Sequence, residues 1–327
     1  MVRTSTNRLA GQLMRGSLAL ALAALGLGCA GPGPGADSAR GASALIQSLK
    51  SSRVIDLSHT WETGSPVASV NPPYAFALSA THGKTRGTFN DGGQLSFAAE
   101  EMRWSGQHGA PSIDALGHIG RNGKLFGGLD AAGVTAQPAG IGAGGVGAHL
   151  AIDQFPTELL VNRGVLLDVA TMVQGNASPL PANFEITGAH LAQAAQRQGV
   201  QLQRGDTVFI RTGWGAHFAR DPKLYAGESS PGPGLDAAEF LIRQGARIVG
   251  NDTLTFEKRP PVVNSPSFQV FPVHMRLIAD SGIYIVENLN LEELAAAKAY
   301  EFAVVVPPLK VKGGTGSAVR IFALVPR

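Results

Sequence analysis

The stretch Asp206-Thr207-Val208-Phe209-Ile210-Arg211 has the composition of a fully buried β-strand. Its centre is apolar and contains β-branched and aromatic side chains, and the nearby Gly213 indicates where the strand gives way to a turn. Residues 165–169, 247–250 and 283–286 are similar short runs. Strands that are apolar throughout usually lie in a sheet that is covered on both faces.

Helical segments lie between these strands. Residues 187–198 are predicted to be a helix, because Thr187 is a good N-cap and Leu191 repeats with two alanines at helical spacing. Residues 235–244 form a second predicted helix, which Gly245 ends. Further strands are predicted at residues 54–57, 74–81, 95–104, 302–306 and 319–325, and a short helix within residues 272–281. This alternation predicts an α/β fold with a mixed sheet in a single globular domain.

The first 29 residues have the pattern of a secretory signal, with three arginines, no acidic residue and then an apolar run over residues 18–27. Cys29, the single cysteine, stands where a bacterial lipoprotein signal is cleaved and the cysteine is acylated. Plain secretion with cleavage nearby is the alternative. We therefore expect an exported protein that is periplasmic, or membrane-anchored through a lipid on Cys29.

Behind the signal, residues 30–44 are rich in glycine and proline and predict a flexible tether. Residues 45–327 are enough for one large domain with a sizeable core. The chain has 27 Lys+Arg and 24 Asp+Glu; the signal holds three arginines and no acid, so 24 of each remain. The sequence has no run of basic residues interleaved with aromatic residues, so we expect no nucleic-acid partner.

Residues 107–118, QHGAPSIDALGH, place two histidines and an aspartate among small residues and a proline. Imidazole and carboxylate groups are ligands that suit zinc or manganese, and glycine and proline allow the tight turns that would bring them together. The alternative is a surface turn with two unrelated histidines. A helix is predicted to begin near Ile113, because Ile113, Leu116 and Ile119 would share one helical face.

His274 and Glu287 are a second pair of candidate ligands. Glu287 follows an apolar strand, and His274 lies in an apolar segment. The alternative for His274 is a core histidine that is hydrogen-bonded to the backbone. The alternative for Glu287 is a glutamate that caps the segment 291–297. Combined with the first cluster, they would provide three imidazoles and two carboxylates, which suffice for one or two metal ions.

The chain resembles the metal-dependent cyclase family, which includes bacterial kynurenine formamidases and isatin hydrolases. Residues 108–118 keep the register of the family hallmark, His-x-Gly-Thr-His-x-Asp-x-Pro-x-His. The similarity continues through RGVLLDV (163–169), GDTVFIRTGWG (205–215), GNDT (250–253), VH (273–274), GIYIVENL (282–289) and PPLK (307–310). It covers nearly all of residues 50–327. The resemblance implies the swivelling β/β/α domain of that family and a homo-oligomer.

The resemblance also implies roles for individual residues. His108 and Asp114 match metal ligands, and His118 matches the catalytic histidine that shuttles a proton beside the metal-bound water. His274 and Glu287 match the ligands that complete a second site in binuclear members. The implied cofactor is a divalent metal, Zn or Mn, as one or two ions. The implied activity is metal-dependent hydrolysis of an amide, lactam or ester bond in a small molecule, cyclic ones included, as in arylformamidases and cyclic amidases.

The metal motif is degenerate. Ser112 stands where the hallmark has a ligand histidine, Ala110-Pro111 replaces its Gly-Thr pair, and Leu116 replaces its proline. A serine hydroxyl is a poorer ligand for zinc than an imidazole, so Ser112 is a weak ligand or a lost one.

Three arrangements remain open after this change. The ion is held by His108 and Asp114 with water and Gln107, or by Asp114, His274 and Glu287 alone, or it is absent. In the third case the protein would be a non-catalytic, membrane-tethered protein that binds a small ligand. His59, Trp61 and Gln107 are the candidates for the substrate pocket.

Overall fold

A computed structural model describes residues 34–106, 109–136, 145–264 and 266–327 of the chain. Its strands are β1 (Ser52–Asp56), β2 (Ala75–Ala80), β3 (Ala99–Arg103), β4 (Ser112–Asp114), β5 (Thr135–Ala136), β6 (Gly145–Val146), β7 (Val161–Asp168), β8 (Glu185–Ile186), β9 (Thr207–Arg211), β10 (Gly232–Pro233), β11 (Ile248–Asn251), β12 (Val262–Val263), β13 (Gln269–Val270), β14 (Tyr284–Glu287), β15 (Glu301–Val305), β16 (Gly316–Ala318) and β17 (Phe322–Pro326). Its α-helices are α1 (Pro34–Ser51), α2 (His82–Thr85), α3 (Ala131–Val134), α4 (Val169–Gln174), α5 (Gly188–Gln198), α6 (Pro222–Tyr225), α7 (Leu235–Gln244), α8 (Pro272–His274) and α9 (Glu292–Ala296).

Nine strands form one mixed sheet in the order β1-β17-β15-β7-β9-β11-β14-β4-β16. The four central strands, β7, β9, β11 and β14, are parallel. The strands on both sides of this group pair antiparallel. The predicted α/β fold with a mixed sheet in one domain is therefore confirmed. The carboxyl ends of the four parallel strands lie at one edge of the sheet, the usual place for a site in such folds.

The parallel strands are covered on both faces, as their apolar composition predicts. Leu166 and Phe209 pack into one hydrophobic core, and Leu167 and Ile210, their neighbours along the strands, pack into the other. This is the two-residue alternation of a β-strand. Helices α5 and α7 contribute to the second core, so each face of the sheet buries its own set of side chains.

Helices α5 and α7 have the predicted bounds. The Thr187 hydroxyl accepts a hydrogen bond from the backbone N–H of His190 at 3.3 Å, which caps α5. Gly245 ends α7 in the left-handed conformation, with φ of 76°, which glycine adopts without strain. Both ends are set by local chemistry, which is why the sequence predicts them well.

The helix predicted to begin near Ile113 is wrong. Residues 112–114 form the strand β4, which pairs with β14 on one side and with β16 on the other. Ile113 is fully buried in the first core. The helical spacing of the apolar residues was a local pattern, and two neighbouring strands outweigh it because they satisfy the backbone groups of β4 on both sides.

The N-terminal residues are described in part. Residues 34–44, predicted as part of a flexible tether, lie in helix α1, whose four alanines favour a helix. Most of α1 lies in a unit of its own that ends at Ser48, and all strands belong to the unit of residues 49–327. The predicted signal, residues 1–29, falls outside the described residues. No helix in the ranges given above has both the length and the apolarity to cross a membrane.

Candidate metal centre

Two neighbouring strands bring the carboxylates of Asp114 and Glu287 together. In the antiparallel pair of β4 and β14, Asp114 lies opposite Ile285, and Glu287 lies opposite Ser112. Because side chains alternate along a strand, Ser112, Asp114 and Glu287 face the same side of the sheet. Ile113 and Val286, between them, point into the first core. The two carboxylates therefore converge because of strand register.

His274 reaches this face from a short helix. Phe271 has a left-handed backbone with φ of 53°, and Pro272 follows at the start of α8. The chain then continues into a π-helical turn, residues 275–279. Helix α8 places His274 Nε2 at 3.2 Å from Glu287 Oε1 and 3.7 Å from Asp114 Oδ2. A π-turn beside the site agrees with the frequent location of such turns at functional positions.

Asp114, His274 and Glu287 could hold a metal ion. Each offers one ligand atom, and these atoms lie within 4.8 Å of one another. All three residues are buried, with relative exposures of 1%, 3% and 3%. Two carboxylates and one imidazole suit zinc and manganese. This is the second of the three arrangements that the sequence leaves open.

The environment of Asp114 fits a bound cation. Both of its carboxylate oxygens are buried and have no hydrogen-bond partner among the described residues. Burial raises the pKa of Asp114 to about 7, against the opposing attraction of His274. A buried carboxylate without donors is costly unless a positive charge compensates it. The residues present therefore fit a divalent ion better than they fit a purely structural role.

Glu257 completes the surroundings of His274, and the sequence reasoning missed it. One of its carboxylate oxygens accepts hydrogen bonds from His274 Nδ1 at 2.7 Å and from the backbone N–H of His274 at 3.0 Å. Burial lowers the pKa of His274, but the bonds to Glu257 and Glu287 outweigh burial and raise this pKa to about 10. Glu257 lies in a loop 17 residues before His274, and no spacing rule links two such positions.

His118 lies beside this group. Its Nε2 is 4.0 Å from Asp114 Oδ1, and its side chain is 28% exposed. Burial and the nearby His274 together lower the pKa of His118 to about 4, against the opposing effect of Glu287. The imidazole is therefore neutral at pH 7 and able to accept a proton. Gly117 allows the chain to approach closely here, because a Cβ at this position would lie 2.6 Å from Val146 Cγ1.

The other candidate ligands are Ser112, Gln107 and His108. Ser112 is fully buried on β4, opposite Glu287. Gln107 and His108 lie outside the described residues, so their roles stay predictions. The arrangement in which His108 and Gln107 share the ion with Asp114 is therefore open.

His59 and Trp61 line a cavity of about 590 Å³ together with Ala110 and Pro111. None of the described residues lining this cavity belongs to the Asp114–His274–Glu287 group, and His118 does not line it either. His59 stacks on Phe218 with ring centroids 4.1 Å apart, and its Nε2 is buried with no partner in the described part of the chain. The cavity reaches the start of the strand that carries Asp114, since Ala110 and Pro111 directly precede β4.

Comparison with known proteins supports the same family. The family described as "Putative cyclase" matches residues 55–258. An isatin hydrolase from Roseibium aggregatum is 30% identical over 185 residues, which are 54% of this chain. The chain spans only 65% of the length of that relative.

Solved structures share the fold. A crystal structure described as a novel cyclase is 27% identical with a TM-score of 0.71, and the match covers 86% of this chain and 91% of that one. Isatin hydrolase A from Labrenzia aggregata, bound to benzyl benzoate, has a TM-score of 0.64 at 22% identity, covering 89% of this chain and all of that one. At the lower identity the likeness concerns the fold alone.

Proposed function

The chain belongs to the cyclase family, and from this premise we propose that it is a metal-dependent hydrolase of a small molecule. The observation that carries the proposal is the buried group of Asp114, His274 and Glu287, in which neither Asp114 oxygen has a hydrogen-bond donor among the described residues. The proposed bond is an amide, lactam or ester. The similarity to an isatin hydrolase favours a cyclic amide, because isatin is a lactam.

Asp114, His274 and Glu287 are the residues that would hold a zinc or manganese ion. Such an ion would supply Lewis acidity, which polarises a carbonyl group and makes water a better nucleophile near neutral pH. Asp114 and Glu287 would neutralise its charge, and His274 would contribute Nε2. The rigid backbone of β4 and β14 keeps the two carboxylates in register, so little ordering is needed when the ion binds.

His118 is the proposed proton shuttle. Its Nε2 takes a proton from the attacking water and returns it to the leaving nitrogen or oxygen. Two observations support this role: Nε2 lies 4.0 Å from Asp114 Oδ1, and 28% of the side chain is exposed. The lowered pKa of His118 also keeps the ring neutral at pH 7. A general base must be deprotonated before the reaction, and the lowered pKa of His118 meets this condition.

The cavity lined by His59 and Trp61 is the proposed place for the substrate body. Its volume of about 590 Å³ is in the range of small-molecule sites. Trp61 stacks on Tyr74 with centroids 5.0 Å apart, which gives the cavity a stiff aromatic wall. His59 Nε2 has no partner among the described residues, and it is the proposed acceptor for an N–H group, as a cyclic amide carries. Gln107 is the third candidate for this pocket.

The experiment measures metal content and turnover together. We expect the purified protein to hold at least one equivalent of zinc or manganese, and to open lactams, lactones or formamides in a substrate screen. A chelator should abolish turnover, and added zinc or manganese should restore it. A protein that neither retains nor responds to either metal contradicts the proposal.

Ser112 favours a second candidate function, a membrane-tethered protein that binds a small ligand without turning it over. Replacing a ligand histidine by serine is the change expected if catalysis was lost while the pocket was kept. Two measurements distinguish these functions. Calorimetry would detect ligand binding in both cases, whereas mass spectrometry of the recovered ligand would show a hydrolysed product only for the enzyme.

Export is also proposed, on the pattern of residues 1–29. Full-length protein expressed in a bacterium should incorporate labelled palmitate and sediment with membranes. The matched control is Cys29→Ser, which should remove both properties. Secretion without labelling would support plain cleavage of the signal.

A further inference from the structure

We propose that Glu257 is a positioning residue, which holds the imidazole of His274 so that Nε2 faces Asp114 and Glu287. The inference rests on the proposed function, because it assigns Glu257 a task in the same metal site. Sequence spacing and strand register do not indicate this task. It follows from the hydrogen bonds around one buried ring.

Three hydrogen bonds join Glu257 to the last two residues of α8. Oε1 accepts from His274 Nδ1 at 2.7 Å and from the backbone N–H of His274 at 3.0 Å. Oε2 is 3.3 Å from the backbone N–H of Val273, which donates to it. Glu257 and His274 are 2% and 3% exposed, so water does not compete for these bonds. The carboxylate therefore fixes both the ring and the backbone that carries it.

The two ring nitrogens face different partners. Nδ1 points to Glu257, and Nε2 points to Glu287 and Asp114. A neutral imidazole that donates its proton from Nδ1 has a free lone pair on Nε2, which is the atom that can bind a metal. A carboxylate behind a ligand histidine favours this tautomer, orients the ring and makes it a stronger ligand. Both oxygens of Glu257 are already used on α8, which argues against Glu257 as a further ligand.

The loop that carries Glu257 is itself held in place by the end of β11. Asn251 Nδ2 donates to the carbonyl of Phe256 at 2.7 Å, and Asn251 Oδ1 accepts from the backbone of Thr253 at 3.2 Å. Strand β10 packs against the same loop, because a Cβ on Gly232 would lie 2.6 Å from the carbonyl carbon of Glu257. Glu257 is therefore presented by a rigid segment, as a residue that orients another must be.

The first test compares zinc affinity in full-length wild-type protein and in Glu257→Gln and Glu257→Ala, by competition with a chromophoric chelator. Zinc alone is the probe. Removing a carboxylate behind a ligand histidine typically weakens metal binding roughly 10–100-fold, and we expect this loss in Glu257→Ala. We expect a smaller loss in Glu257→Gln, because its amide oxygen can still accept from Nδ1 while its NH₂ group faces the N–H of Val273.

Glu239→Gln is the matched control. Glu239 accepts from Arg276 Nε at 2.6 Å, two residues after His274, so this variant disturbs the same turn without touching the imidazole. Its zinc affinity should equal that of the wild type. Circular dichroism and thermal melting of each variant would show whether the fold is kept, and Glu257→Gln, which conserves shape, serves if Glu257→Ala does not fold.

A second readout reports on the ring itself. In ¹⁵N-labelled, zinc-loaded wild type, the Nδ1 proton of His274 should give a downfield resonance protected from exchange, and Glu257→Ala should lose it. Equal zinc affinity in all proteins, or a protected Nδ1 proton in Glu257→Ala, would overturn the role of Glu257 and leave the proposed function intact. Failure of the wild type to bind zinc would overturn both.

Discussion

Two buried groups of charged side chains lie at the same edge of the sheet, and they differ in how their charges are balanced. In the first group, Arg211 at the end of β9 binds Asp168 at the end of β7 at 3.0 Å and Glu292 at 2.8 Å. In the second, Asp114 and Glu287 surround His274. Arg211 and Asp168 are buried like the members of the second group, whereas the Glu292 side chain is 36% exposed. The difference is that the first has a partner for each ionic group, whereas both oxygens of Asp114 have no donor among the described residues.

The pairing of charges distinguishes a structural group from a candidate metal site, whereas burial alone does not. Arg211 is 1% exposed and makes a two-pronged contact with Glu292, so the first group serves as an internal tie between strands and helix α9. The second group has three carboxylates, when Glu257 is counted, around one imidazole. Folding alone gives no reason to bury three carboxyl groups around one imidazole, whereas a divalent ion would compensate their ionised charge.

Asp114→Asn should have the largest effect and separate the two groups most clearly. We expect undetectable turnover and loss of the thermal stabilisation that zinc produces, because the ion loses a charged ligand. The metal-free variant should melt at the wild-type temperature or above it, since a buried charge without a donor has been removed. The measurement is a melting curve with and without zinc. A metal-free variant that melts well below the wild type would mean that Asp114 is a structural residue.

His118→Ala tests the shuttle beside the second group. Loss of a general base typically lowers kcat roughly 10²–10⁴-fold, and we expect a decrease of this size. Zinc affinity should stay at the wild-type value, because His118 is not one of the three grouped ligands. Steady-state kinetics and zinc titration check the two parts. Undiminished turnover in this variant would refute the role of His118.

Arg211→Met tests the first group and should lower the stability of the fold without changing metal binding. Removing one partner of a buried ion pair costs about 3–5 kcal/mol, because Asp168 loses its compensating charge. The zinc content per folded chain should be unchanged. Denaturant unfolding measures the loss, and Arg53→Met is the control, because Arg53 and Glu293 are more than half exposed and such pairs contribute only about 0–1 kcal/mol. Equal effects in the two variants would contradict the comparison.

Ser112→His should have the smallest effect. It places an imidazole opposite Glu287, on the face that carries Asp114. We expect more zinc per chain and a modest rise in turnover if the missing ligand limits activity. Position 112 is fully buried, so the larger ring could cost about 1–3 kcal/mol, and melting curves must accompany the zinc measurement. Ser112→Asn is the control for size, and an unchanged zinc content in Ser112→His would show that this position no longer serves the site.

The sequence by itself determined the elements whose ends depend on local chemistry. Thr187 and Gly245 bound α5 and α7 as predicted, and the apolar runs of β9 and β14 match buried parallel strands. It also singled out Asp114 through the register of the family hallmark, and His274 and Glu287 through their apolar settings and the similarity that continues beyond the hallmark. These features depend on neighbours along the chain or on a pattern shared by relatives, so they can be predicted from the sequence.

Only the tertiary structure decided the rest. Residues 112–114 form a strand because β14 and β16 lie beside them, although their own spacing favoured a helix. Glu257 supports His274 because a loop after β11 folds back onto α8, a contact that no local rule specifies. The surroundings of Asp114 likewise form only when distant segments pack together, because whether a buried carboxylate has a partner depends on every residue around it.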